Sequence, residues 1–376
     1  MEKILSREAV VASLQQAGFS QAELARRLNV SAQAVTNWLK GVDFPRPDKL
    51  LKLAVLLKLP FDQLVTQTNH DLPVVAFRKK GGAKTTLAHI ARAQEMGLML
   101  KPLVPYLQGI QTLRPQIANP STSYAALQRI VLDVRARLGI GEQAVLEYSH
   151  LIGQFKESGA VLIPVLWGEK QRHENALHIY LPEEKVTFIF LNLDTGMEDF
   201  KFWMSHELAH IYTTSLAGSD EGEDFADSFA GALLFPQACA KLAYQDSMRA
   251  HSEKGVLHAL HGHAVKYGIS LYSVFREAAN YAKENRLPPL TVSDTSIHAA
   301  RNAVRKHIPR ISESLFEPLP PHPGEYIRSA ETVFKSEFFQ ALRVMAREHQ
   351  LGAGYVQQVL DISLADASGL HAELTS

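Results

Sequence analysis

The chain has 376 residues, 46% of them hydrophobic and 21% charged, the balance of an ordinary globular protein with room for two or three domains. The 39 basic and 39 acidic side chains leave a formal net charge of zero, so any nucleic-acid or membrane affinity must come from a local patch. One cysteine, Cys239, allows no intrachain disulfide, and no run has the length of a signal-peptide core or a membrane span. A cytoplasmic protein with no membrane partner is expected. Cys239 sits in an apolar helical stretch and reads as an ordinary buried thiol.

The first seventy residues break into short amphipathic helices with clear stop signals. Residues 9–17 end at Gly18, and Ser20 caps Gln21–Leu28 with Glu23 placed to close a capping box. Asn29 and Val30 turn the chain, Ser31 caps a third helix reaching Gly41, and Pro47–Leu57 and 61–65 follow. Two short helices across a tight turn describe a helix-turn-helix. Helical spacing turns Val35 and Trp38 inward, toward Leu24, Ala25 and Leu28, and leaves Gln33, Thr36, Asn37 and Lys40 outward.

The order QAELARRLNVSAQAVTNWLKGVDFPRPDKLLKLAVLL resembles the Cro/C1-type (XRE) helix-turn-helix module over roughly residues 3–66. The resemblance implies that Ala32, Gln33 and Asn37 meet base edges of double-stranded operator DNA, with Gln21, Lys40 and Lys49 on phosphates. Glutamine and asparagine suit bidentate hydrogen bonding to adenine. Residues 1–70 carry nine basic and six acidic side chains, a mild support. The plainer alternative is a helical domain over 1–68 that dimerises or docks a partner without touching DNA. A homodimer is expected.

Residues 71–87, DLPVVAFRKKGGAKTTL, invite a phosphate-loop reading, but that loop needs glycine directly before its lysine, and Ala83 precedes Lys84. The stretch reads as a basic connection, six basic against two acidic residues over 71–101, opening a helical connector that spans 69–144. From Ala160 the pattern turns β-branched. AVLIPVLWG, ALHIYL and KVTFIFLN, with turns between them, suggest a small antiparallel sheet whose edge could pair with an extended peptide.

The sheet leads into KFWMSHELAHIYTT, which holds His206, Glu207 and His210 in the H-E-x-x-H arrangement. Two histidines four apart share a helix face and can reach one zinc ion, and the glutamate beside them can act as a base on water. With 16 histidines in the chain, an accidental match is about a 4% event, so context decides. The next helical run, EGEDFADSFAGALLFP, places Glu223, Asp227, Ala230 and Leu234 on one stripe. Glu223 can complete a three-residue metal site, and Asp227 one turn later can hydrogen-bond the outer nitrogen of a ligand histidine. The interval from Glu183 to Asp227 has eleven acids and two lysines, which suits a cation.

The pattern FIFLN…FWMSHELAHIY…EDFADSFAGALLFP, continuing into KYGISLYSVFREA, resembles the ImmA/IrrE metallopeptidases over about residues 145–285. The resemblance implies a zincin-like, gluzincin-type domain at 145–287, with His206, His210 and Glu223 on Zn2+ and Glu207 as catalytic base. Asp227 departs from the asparagine usual there. No oxyanion stabiliser stands out among Tyr212, His258, His261, His263 and Tyr267, and HALHGH at 258–263 reads as a polar helix end. Beyond Pro288 the motifs stop: a basic helix over 299–307, a proline-rich loop and a long amphipathic helix over 325–350 form a C-terminal region, 288–376, that could dimerise, dock a partner or cover a groove.

The expected fold is therefore α+β and mainly helical. The expected function is a DNA-binding regulator with a zinc peptidase that cleaves a regulatory protein, a repressor or a toxin–antitoxin partner. The alternative is a non-catalytic antitoxin or autorepressor that binds a cognate toxin through the zinc fold.

Overall fold

In the first unit, serine hydroxyls start the helices as the sequence suggests. Ser6, Ser20 and Ser31 each accept the backbone N–H three residues on, which satisfies a donor the helix cannot. The computed structural model describes residues 2–40, 42–68, 72–79, 86–108, 115–167, 174–216 and 218–376, and divides into Met1–Leu72 and Pro73–Ser376. The first unit runs β1 (Glu2–Leu5), α1 (Arg7–Ala17), α2 (Gln21–Leu28), α3 (Ala32–Leu39), α4 (Pro47–Leu57), α5 (Phe61–Leu64) and β2 (Val65–Thr68). Leu24, Ala25 and Leu28 meet Val35 and Trp38 in its core, as helical spacing requires.

Two local expectations change, and one feature is added. The two end strands pair antiparallel, Glu2 opposite Thr68 through Leu5 opposite Val65, a contact too distant along the chain for local patterning to reveal. Glu23 does not turn back to close a capping box; Arg26 at 2.8 Å and Arg27 at 3.0 Å hold it instead. Helix α3 ends at Leu39, and Gly41 lies outside the described residues.

The second unit begins with β3 (Val74–Lys79), α6 (Leu87–Leu100), a 3-10 turn Lys101–Tyr106, α7 (Tyr124–Arg137) and α8 (Tyr148–Glu157). Then come β4 (Ala160–Val165), β5 (Glu174–Leu181), β6 (Val186–Asn192), α9 (Met197–Tyr212), α10 (Asp220–Leu234), α11 (Gln237–Met248), α12 (Glu253–Tyr267) and α13 (Leu271–Glu284). The chain closes with α14 (Asp294–Arg305), α15 (Ile311–Leu315), α16 (Pro323–Thr332), α17 (Phe338–His349), α18 (Ala353–Leu360) and α19 (Leu364–Thr375).

The sheet is mixed, with four strands in the order β3-β5-β6-β4, where a three-run antiparallel sheet was expected. The tight β5–β6 hairpin keeps its local pairing, but β6 inserts between β5 and β4, so β4 and β6 run parallel. The fourth strand comes from the stretch expected to be linker. Pro73 seats in a notch over Gly97 of α6, where a Cβ would come within 2.6 Å, and Ala76 of β3 then pairs with His178 of β5. The glycine–lysine segment considered as a phosphate loop, 80–85, lies outside the described residues.

The boundaries expected at 144 and 287 fall inside this second unit, whose one core runs from Ala93 to Leu374. The C-terminal helices cover the free edge of β4. The Tyr326 and Ser336 hydroxyls donate to the Pro164 and Leu162 carbonyls, and Trp167 donates to the Leu360 carbonyl at 3.0 Å. The long helix expected over 325–350 is two helices, α16 and α17. Lys335 takes a left-handed φ of +51° and Ser336 turns to the sheet edge, so the chain breaks where that contact is made.

Candidate metal centre and nucleic-acid face

Helix α9 is buried along most of its length, and its end carries His206, Glu207 and His210. Helix α10 packs along it, and Ala209 of α9 and Ala226 and Ala230 of α10 are fully buried, small residues that let two backbones approach. Between them the turn at Thr214–Leu216 leads to Ser219, which caps α10 by accepting from the Gly222 N–H at 3.0 Å. Gly222 fits beneath the Leu216 carbonyl, where a Cβ would come within 2.3 Å. That close approach sets Glu223, the next residue, over the histidines. An acid in the first turn also meets the positive end of the helix dipole.

The three side chains converge. The Nε2 atoms of His206 and His210 lie 3.1 Å apart, and each is 3.3 Å from a Glu223 carboxylate oxygen. All three ligand atoms fall within 4.8 Å of one another, a group that could hold a metal ion. Ligands about 2.0–2.1 Å from a tetrahedral zinc stand about 3.3 Å apart, so the spacing suits that geometry. Asp227 Oδ1 lies 2.9 Å from His206 Nδ1, which leaves the Nε2 lone pair facing the cluster.

Electrostatics couple the groups. Burial works against a charged His206, but the Asp227 and Glu223 carboxylates outweigh it and raise its pKa to about 9. Burial likewise opposes ionisation of Glu223, yet the two imidazoles hold its carboxyl well below the usual range. Glu207 is lowered too, against its own complete burial, first by the hydrogen bond from His178 and then by the neighbouring histidines.

His178 is the site residue that spacing missed. It is buried on β5 with Nδ1 3.3 Å from Glu207 Oε2, and its ring meets that of His210 edge to face at 5.8 Å. The available signal was one ionisable side chain in the apolar run ALHIYL. Of the side chains considered as oxyanion donors, Tyr267 and His263 have polar partners elsewhere. Tyr212 packs on Phe229, Tyr267 donates to the Gln143 carbonyl, and His263 sits 2.9 Å from Asp246. His258 is exposed, His261 lines a separate recess, and HALHGH lies within α12 rather than at a helix end. Among the described residues the metal-ligand grouping is His206, His210 and Glu223.

In the first unit, Gln33, Thr36, Asn37 and Lys40 lie along the outer side of α3 and its cap, opposite buried Val35, Trp38 and Leu39. Gln33 Nε2 donates to Asn37 Oδ1 at 2.8 Å, so the two amides form one hydrogen-bonding plate. The Thr36 hydroxyl donates to the Ala32 carbonyl of its own helix at 3.0 Å. Ala32 opens α3 and Gln21 opens α2, both exposed, while Lys49 is half-buried beside Asp48.

A helix-turn-helix family model matches residues 12–64, from within α1 to the end of α5. The first unit is thus an XRE-type helix-turn-helix, and the match supports a regulator that binds double-stranded DNA. No curated protein and no solved structure matches the chain. Among the described residues no helix is long and apolar enough to cross a membrane.

Proposed function

We propose that this DNA-binding regulator carries in its second unit a zinc-dependent peptidase of the ImmA/IrrE kind, zincin-like in fold, acting on a regulatory protein. The observation that carries the reading is the convergence of His206, His210 and Glu223, at 3.1–3.3 Å, beside a buried Glu207. The donor set of two imidazoles and a carboxylate fits a catalytic zinc, which keeps a fourth position open. A bound Zn2+ supplies Lewis-acid polarisation of a carbonyl and of water.

The chain's own residues do the rest. Glu207 takes the proton of the attacking water and delivers it to the leaving amine. His178, 3.3 Å from that carboxylate, holds it in place, and Asp227 fixes the orientation of His206. On the nucleic-acid side, Ala32, Gln33 and Asn37 read base edges while Gln21, Lys40 and Lys49 meet phosphates, with Thr36 on the same outer face.

The test is metal analysis of the purified full chain, with Glu207→Gln beside wild type, and cleavage assays on the chain itself and on proteins encoded next to it. One zinc per chain in both proteins, with cleavage by wild type alone, is expected. A chain purified in zinc-containing medium without zinc, or equal cleavage by Glu207→Gln, overturns the reading. Zinc without cleavage turns it toward the non-catalytic antitoxin, with the fold as a toxin-docking platform.

A further inference from the structure

At the opposite end of α9 from its histidines lies a recess of about 210 Å³, walled by α8, α9, α12 and α14. None of the metal-cluster side chains lines it. Its walls are mostly aliphatic: Ala264, Val265 and Ile269 on one side, Val304 and Ile308 on the other. Val265 is 68% exposed, an apolar rim on a surface where a solvated side chain would be expected.

Two charged side chains enter these apolar walls, Glu198 at 7% exposure and Lys201 at 3%, both from α9. Three residues apart, they are neighbours on one helix face. Lys201 Nζ is 3.5 Å from the Glu147 carboxylate, 3.3 Å from the Tyr267 carbonyl and 5.2 Å from the centre of the Tyr148 ring, and both polar contacts are longer than the roughly 2.8 Å of a good charge-assisted bond. Glu198 Oε1 is buried with no hydrogen-bond partner. Burial pushes the Glu198 carboxyl up, with Asp199 adding to it and Arg301 and Arg305 opposing, and pushes the Lys201 ammonium down against Glu147. A buried acid with one oxygen unpartnered, beside a buried base whose ion pair is long, favours a ligand that brings opposite charge to both.

We propose that this recess binds a free α-amino acid with a branched aliphatic side chain. Its ammonium meets Glu198, its carboxylate meets Lys201, and its side chain packs against Val265, Val304 and Ile308. The acid and the base on adjacent positions match the two poles of a zwitterion, which a purely apolar or singly charged ligand would leave half answered. The size agrees: a cavity of about 150 Å³ accepts benzene, so 210 Å³ suits a molecule of about nine non-hydrogen atoms, as leucine has. The site does not depend on the peptidase reading, although it lies on the helix that bears the metal ligands.

Calorimetry on the full chain tests it with L-leucine, 4-methylpentanoate, which lacks the ammonium, and 3-methylbutylamine, which lacks the carboxylate. Leucine is expected to bind at least about tenfold tighter than either truncated probe. Lys201→Met should erase the preference over 3-methylbutylamine, and Glu198→Gln the preference over 4-methylpentanoate. No leucine binding at millimolar concentration, or equal affinity for leucine and either truncated probe, overturns the proposal. The wild-type probe series decides this even where a variant fails to fold.

Discussion

Glu207 is held from a strand as well as from its own helix, because His178 of β5 reaches its carboxylate at 3.3 Å. The same logic operates at His206, whose outer nitrogen lies 2.9 Å from Asp227. If the proposed zinc site holds, Asp227→Ala lowers its zinc affinity by about 10- to 100-fold, measured by competition with a chelator, while Asp227→Asn loses less. Another buried acid, Glu277, lies outside the cluster. Burial, only partly offset by Arg276, raises Glu277 from 4.5 to about 7. An acid that keeps its proton in the folded state favours folding at low pH, and this contribution declines as pH rises from about 4.5 through about 7. Glu277→Gln should remove that decline. Relative to wild type, the variant is expected to gain up to about 3 kcal/mol between pH 4 and pH 8 in denaturant melts.

At the scale of elements, the start of α10 decides whether Glu223 faces the histidines. A methyl group at Gly222 would meet the Leu216 carbonyl at 2.3 Å, so Gly222→Ala must shift the first turn of that helix. Overpacking of this kind costs about 1–3 kcal/mol. The variant should melt earlier and bind zinc more weakly than wild type, where a purely local cap defect would lower stability alone. In α3 the hydrogen-bonded pair Gln33 and Asn37 and the exposed Lys40 have separable tasks. Gln33→Ala is expected to relax sequence preference, whereas Lys40→Ala should weaken all DNA sequences alike and reduce the salt slope by about 1. Fluorescence anisotropy against operator and scrambled duplexes over a salt series distinguishes the two effects.

At the scale of the whole molecule, the two units have separate cores, one built around Leu28 and Trp38 and the other running from Ala93 to Leu374. Scanning calorimetry should resolve two transitions. Because a ligand bound only to the native state stabilises the unit that holds it, a chelator should lower the second-unit transition and leave the helix-turn-helix transition in place. A shift of both transitions by equal amounts would show the metal and the DNA-binding unit to be coupled.

Local sequence determined whatever depends on neighbours along the chain. The serine caps, the inward side of α3 and the sharing of one α9 face by His206 and His210 follow from helical period and backbone hydrogen-bonding needs. Glu223 and Asp227 were legible for the same reason, being one turn apart on a helix that the motif required nearby. Tertiary structure decided the rest. That β6 separates β5 from β4, that β3 joins the sheet and that the C-terminal helices cover the β4 edge depend on which faces meet. Periodicity states that a face is apolar but not its partner. His178 shows the difference most directly: a single histidine in an apolar strand becomes a neighbour of Glu207 only when β5 and α9 pack together, 29 residues apart in sequence.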